Sequence, residues 1–254
     1  MPTSQSAPEQ ASAHRLGDPV RNFDARPGRR RVLAWLVLLG LAGAALVPAA
    51  AVYLAAGRLL LGVPAALLAV GYLGATAWIL ARGALRGRGA VVTLHNGGLA
   101  VTRSGRTDAY VWDDLTAVAV SGVQRARHAR TRWRFTVATA RGGTLEFGDE
   151  LPDVRLLGEA VVAEVTARAV PRALADLEAG RTVRFGPFAV GPGGVDKEGR
   201  RVPWAALRDV VIANGVVAVR SADGVRELTA LTGHTPNAVA LAELCRRITA
   251  GRRA

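Results

Sequence analysis

From Val32 to Ala81 the chain is apolar almost throughout, and Arg58 is the one charged residue in the stretch. Two runs divide it: VLAWLVLLGLAGAALVPAAAVYLAA over 32–56 and LLLGVPAALLAVGYLGATAWILA over 59–81, joined at Gly57-Arg58. About 20 apolar residues of helix span a bilayer's hydrocarbon core. Lipid offers the backbone no hydrogen bonds, so each run predicts a helix and the pair predicts a transmembrane hairpin. Pro48 is expected to kink the first helix. The basic approach and the small residues at 48–51 allow a signal-peptide reading of the first run. Its apolar core is too long for that, and a second span follows directly.

From about residue 90 the pattern changes to short alternating runs with turn punctuation. AVVTLH, NGG and LAVTR read as an Asn-Gly hairpin, and Ser104-Gly105 turns the chain again toward DAYVW. A bend at Asp113-Asp114, a strand near 115–122, TRWRFTVATA (131–140) and GGTLEFG (142–148) follow. In LPDVRLLGEAVVAEVTARAV the residues Val154, Leu157, Val161 and Val165 fall at helical intervals. This helix is expected to end near Pro171, with a short helical linker over 171–180 stopping at Gly180. Strand grammar then restarts through VRELTA. A last helix after Thr235-Pro236 has Ala238, Leu241, Leu244, Cys245 and Ile248 on its apolar face.

VTRSGRTDAYVWDDLTAV (101–118) and VDKEGRRVPWAALRDV (195–210) are one phrase written twice. From Arg to Trp the first copy counts six residues and the second four. A difference of two preserves which face of a strand each side chain takes, whereas a difference of one would reverse it. Trp112 and Trp204 are therefore expected to be buried at the corner of a sheet, with Leu115 and Leu207 beneath them. Each such side chain contributes about 1.5–3 kcal/mol when fully buried. The competing role for the Trp is ligand stacking.

The phrase GGLAVTRSGRTDAYVWDDLTAV resembles the core of bacterial PH-like and GRAM-like modules. The whole layout over roughly 32–250, with VRFGPFAV and VPWAALRDV, resembles an uncharacterised family of bacterial membrane proteins. The resemblance implies a membrane-anchored α+β protein. Composition, rich in Ser, Gln, Pro and Ala with no apolar periodicity, predicts a disordered basic tail over 1–31. After the hairpin (32–81) the resemblance implies two PH-like units, 90–170 and 181–250, each with several antiparallel strands and then a helix. Phosphoinositide-binding PH domains place basic residues in their first hairpin loop. Read as that loop, HNGG offers only His95, which leaves specific inositide binding unsupported.

Charge bears on the surroundings. Lys+Arg of 33 against Asp+Glu of 20 gives +13, and every base but Lys197 is arginine. The balanced 89–171 stretch holds ten Arg and nine acids, while 1–31 holds six Arg and three acids, and 32–88 four Arg and none. Excess charge around an apolar region indicates a membrane and no nucleic acid. Arg26, Arg29, Arg30 and Arg31 before the first span, and Arg82, Arg86 and Arg88 after the second, place both termini in the cytoplasm, and the resemblance implies that the membrane is a bacterial cell membrane. Trp35, Tyr53 and Trp78 lie near span ends, where amphipathic rings favour the interface. No ionisable residue sits inside a span, which argues against transport or proton relay. Gly40 and Ala44 form a small-xxx-small pair, common enough in so Ala-rich a helix.

Candidate chemistry is sparse. No cofactor or metal site is expected. Cys245 stands alone, and His95, His128 and His234 lack ligand spacing. Adjacent Asp113 and Asp114 suit bend capping better than acid–base work. The GPGG at 191–194 lacks the Lys and Ser/Thr of a phosphate loop. The suggestive stretch is QRARHARTRWRF. There Arg125, Arg127, Arg130, Arg132 and Arg134 form either a solvated face or a patch for anionic headgroups or an acidic partner, the last three sharing one strand face opposite Trp133, Phe135 and Val137. The expected function is a membrane-anchored interaction module that docks a protein partner or senses the anionic surface. The alternatives are a membrane-bound enzyme with an unrecognised site and a structural subunit assembled through the hairpin.

Overall fold

Pro19–Asp24 forms a strand, β1, in a stretch whose composition predicts a disordered tail. It lies antiparallel to β2 (Val91–His95), so neighbouring strands of one sheet lie on either side of the apolar hairpin in sequence. The correction has a plain cause. Five of the six β1 residues face outward or are only half covered, and the partner strand is far along the chain, so no local periodicity betrays the pairing. Phe23 and the preceding Leu16 are nevertheless buried, and the Ala25 N–H donates to the Ala90 carbonyl at 3.1 Å.

The computed structural model describes residues 16–81, 90–123 and 131–252. Helices α1 (Arg26–Ala55) and α2 (Leu59–Ala81) form the hairpin, with α1 starting earlier than the apolar run because Pro27 suits a first helical turn. Both are long and apolar enough to cross a membrane. They meet along a seam where Gly43 lies against Leu73 and Gly62 against Leu54. Gly40 has open space beyond it, so the Gly40–Ala44 pair is not the contact within the hairpin. Away from the seam, Trp35, Leu41, Leu60, Val70 and Trp78 stand exposed.

β1 and β2 continue into β3 (Gly98–Arg103) and β4 (Arg106–Val111), a four-stranded antiparallel sheet in sequential order. A 3-10 turn at Trp112–Asp114 leads to a three-stranded sheet of β5 (Leu115–Val123), β6 (Arg132–Thr139) and β7 (Thr144–Gly148). Helix α3 (Val154–Glu178) closes this first unit. The second repeats the plan: β8 (Val183–Phe185), β9 (Phe188–Gly191), β10 (Gly194–Lys197) and β11 (Arg200–Pro203); a 3-10 turn at Trp204–Ala206; β12 (Leu207–Ala213), β13 (Val216–Ser221) and β14 (Glu227–Leu231); then α4 (Ala238–Gly251).

The duplicated phrase has the same geometry twice. The turns Ser104-Gly105 and Glu198-Gly199 have positive φ at both residues, as tight hairpins need. Each strand of the second hairpin is two residues shorter, which keeps the pleat in phase. Gly98 opposes Val111 and Gly194 opposes Pro203, one residue before the Trp in each case. A Cβ at Gly98 would collide with the Tyr110 carbonyl oxygen, and one at Gly194 with that of Val202. The Trp112 indole donates to Asn96 O at 2.9 Å, and Trp204 to Gly191 O at 3.0 Å. Both rings are buried, as are Leu115 and Leu207, and a register irregularity follows each Leu.

α3 runs unbroken through Pro171, where a helix end and a linker are expected. Its N-terminal half gives Leu157, Val161 and Val165 to a core with Phe23, Trp112, Phe135 and Phe147. Its C-terminal half gives Val170 and Ala173 to a core with Phe188, Trp204, Leu241 and Leu244. Burial on both sides of Pro171 outweighs the lost hydrogen bond at an exposed position.

Candidate functional site

Some of the ionisable residues singled out in the sequence have structural partners. Asp113 accepts from the Arg172 guanidinium at 2.8 Å and lies 3.6 Å from that of Arg168, fastening the Trp112 corner to α3. The Asp114 carbonyl accepts the Ala140 N–H at 2.7 Å, a bond repeated by Ala206 and Ala222. The His95 ring is buried, its Nδ1 2.9 Å from Gly17 O. His234 is exposed in a 3-10 turn, and His128 lies outside the described residues. Cys245 is buried at the position in α4 that Val161 occupies in α3, and burial pushes its thiol up to about 12. In the GPGG turn, the Gly191 carbonyl serves Trp204, and Arg201 nearby pairs with Asp196 at 3.7 Å. Among the described residues, no three His, Cys, Asp or Glu gather as metal ligands do.

Of the arginine patch, Arg132 and Arg134 are exposed on one face of β6 and make no ion pair among the described residues. Trp133, Phe135 and Val137 take the opposite face. Arg125, Arg127 and Arg130 lie outside the described residues.

A second basic feature emerges from the strand register. Asp24, Val91, Thr102 and Thr107 sit side by side across β1–β4. One step further out, Ala25 and Ala90 lead into and out of the hairpin, and Arg103 and Arg106 flank the Ser104-Gly105 turn. These two arginines therefore stand beside the roots of the helices. Arg103 also reaches β7, donating to Glu146 O at 3.1 Å. HNGG is the β2–β3 turn, at the far end of the sheet from the hairpin. The first connection of the sheet is the hairpin itself, which corrects the reading of HNGG as the first loop.

A cleft of about 550 Å³ lies between the units. On one side are Val118, Val120 and Trp133 from the inner face of β5–β6, with Val162 and Thr166 of α3. On the other are Ile212 to Gly215, at the β12–β13 turn, and Val239 of α4. Among the described residues, no Asp, Glu, Lys, Arg, His or Cys lines it. Trp133 is held from behind by the Asp149 carboxylate, which accepts its backbone N–H at 3.1 Å, and by the Arg155 guanidinium 6.0 Å from its ring. Such a lining binds apolar groups and offers hydroxyl and amide hydrogen bonds. Sequence reading missed both features, because strand register and contacts between residues far apart in the chain create them. The repeat was the available signal only for two similar units, not for where they meet.

The Family of unknown function (DUF6585) matches residues 1–250. No curated protein and no solved structure matches the chain.

Proposed function

We propose that this chain, which belongs to that family, is a membrane-anchored interaction protein whose two PH-like units stand on the cytoplasmic face of a bacterial cell membrane. In this reading α1 and α2 cross the bilayer twice. Their exposed apolar faces would otherwise form a patch far larger than a soluble surface carries. The arginines at 26–31 and at 82, 86 and 88 keep both hairpin ends inside.

The observation that carries the proposal is the position of the hairpin between adjacent strands. Because β1 and β2 pair across its roots, the first sheet stands at the membrane surface with a defined edge toward the lipid. That edge carries Arg103 and Arg106. Each basic residue near an anionic leaflet gains about 1 kcal/mol. The units thus dock against headgroups and offer their remaining surfaces to a protein partner.

The test uses the full chain in nanodiscs of neutral or anionic lipid, with a fluorophore on Ser104→Cys and quenchers on the headgroups. The proposal expects stronger quenching on anionic discs, reversed by salt and by Arg103→Ala/Arg106→Ala. An Arg132→Ala/Arg134→Ala variant reports whether the β6 pair contributes. Quenching that ignores lipid charge, salt and both variants would remove surface sensing and leave protein docking.

A further inference from the structure

The internal repeat gives the inter-unit cleft its own control. Each unit has a groove between the first strand of its three-stranded sheet and its helix. In the second unit that groove, of about 440 Å³ between β12 and α4, is lined in part by Arg208, Asp209, Glu243 and Arg246. In the first unit the matching groove between β5 and α3 is roofed by the second unit and, among the described residues, has no charged lining. Aligning the starts of α3 and α4 sets Val162 against Arg246 and Thr166 against Ala250; aligning the two Leu residues that open β5 and β12 sets Thr116 against Arg208. Glu243 aligns with Glu159, which does not line the enclosed groove, so among the described residues charge lines the open groove and not the enclosed one.

The enclosed groove is not filled by the roof. Ile212 and Val239 face it yet remain 39% and 41% exposed. Its polar groups divide into two sets. Asn237 and Thr232 are engaged, the first with β5 and the second with Gly215 O at 3.1 Å. Thr131, Thr166 and Asn214 make no side-chain hydrogen bond among the described residues, which leaves hydroxyl and amide groups at the cleft for an incoming molecule. Volumes of about 300–1,000 Å³ with mostly apolar walls and a few polar groups hold drug-sized ligands.

We infer that the cleft is a binding site for an uncharged, largely apolar small molecule carrying one or two hydroxyl or carbonyl groups, held between the two units. The apolar body lies against Trp133, Val120, Val162 and Ile212, and the polar group reaches Thr166 or Asn214. An uncharged ligand fits because, among the described residues, nothing lining the cleft would pair a charge once desolvated. Since both units contribute walls, occupancy ties them together. This site does not depend on the membrane reading.

The experiment is hydrogen exchange on the full chain in nanodiscs, with 2-naphthol as the uncharged probe and 2-naphthalenesulfonate as its charged counterpart, each at a free concentration set by dialysis. Naphthol at ten times its Kd should slow exchange about tenfold in 116–122, 212–215 and 237–240, while the sulfonate leaves these segments unchanged. Ile212→Trp, at an exposed strand end, fills the cleft from the roof side without touching either core and should abolish the protection. Val162→Arg, which installs the residue found at the matching place in α4, should do the same. If Val162→Arg loses protection in the first core even without probe, Ile212→Trp alone decides. No protection by naphthol, equal protection by both probes, or protection that persists in Ile212→Trp would each overturn the inference.

Discussion

Asn237 and Val118 bond reciprocally across the two units: the Val118 N–H donates to Asn237 Oδ1 at 2.8 Å, and the Asn237 N–H donates to the Val118 carbonyl at 2.8 Å. The Asn237 amide also donates to Thr116 O at 3.0 Å, so one residue at the mouth of α4 closes the edge of β5 as a short strand would. Its φ of 57° puts it in the left-handed region. Asn237→Gly keeps that backbone and removes only the side chain. It should cost about 1–3 kcal/mol, because a buried donor loses its partner. Asn237→Asp, which keeps the acceptor and loses the donor, should fall between. Exchange rates at Val118 and thermal unfolding of the two variants check both figures.

β1 is part of the first core, so the first unit is incomplete without it. A chain of residues 90–252 should show weak exchange protection in β2 and β3 and a tendency to aggregate through the open edge of β2. Joining residues 16–25 to 90–252 by a short Gly-rich link in place of the hairpin should restore a soluble, protected fold. Phe23→Ala in that version should cost about 3–5 kcal/mol, read by denaturant unfolding.

Pro171 sits inside α3, exposed, between the halves that serve the two cores. Pro171→Ala should raise the melting temperature and leave the fold unchanged, since alanine supplies the missing N–H and avoids an interior proline, worth up to about 3 kcal/mol. Circular dichroism with heating checks this. A lower melting temperature would mean that the proline shapes the helix to fit both cores.

Cys245 should resist alkylation in the native state and react on unfolding, because burial holds it as a thiol. Burial raises its folded value to about 12 from an ordinary 9.0. Below pH 9 both states carry the neutral thiol and its contribution is fully present. Above pH 9 the unfolded chain gains thiolate that the folded chain lacks, so stability falls from there toward about pH 12. Cys245→Val, copying Val161, should fold and lose that part of the alkaline decline. Iodoacetamide kinetics and unfolding midpoints against pH separate the two effects.

What could be read from residues alone was whatever is local. The apolar runs 32–56 and 59–81, the Trp112 and Trp204 corners and the face shared by Arg132 and Arg134 depend on spacing within a single element or hairpin. Pro171 misled because a local rule gave way to packing on both of its sides. β1 was missed because PVRNFD has few apolar residues and its partner lies beyond two helices. The cleft was invisible for a related reason: Trp133 and Ile212 meet only once β5 and the α4 cap have joined.

The insertion of a hairpin between paired strands also imposes an order on synthesis. β1 leaves the ribosome before either apolar helix exists, and its partner β2 only after both. Until then Phe23 has no core to enter. Once α1 and α2 pair, their roots come together and the loop that β1 and β2 must close is effectively shorter. β1 therefore waits through the synthesis of the whole hairpin with its strand edge open, and β2 closes that edge when it emerges.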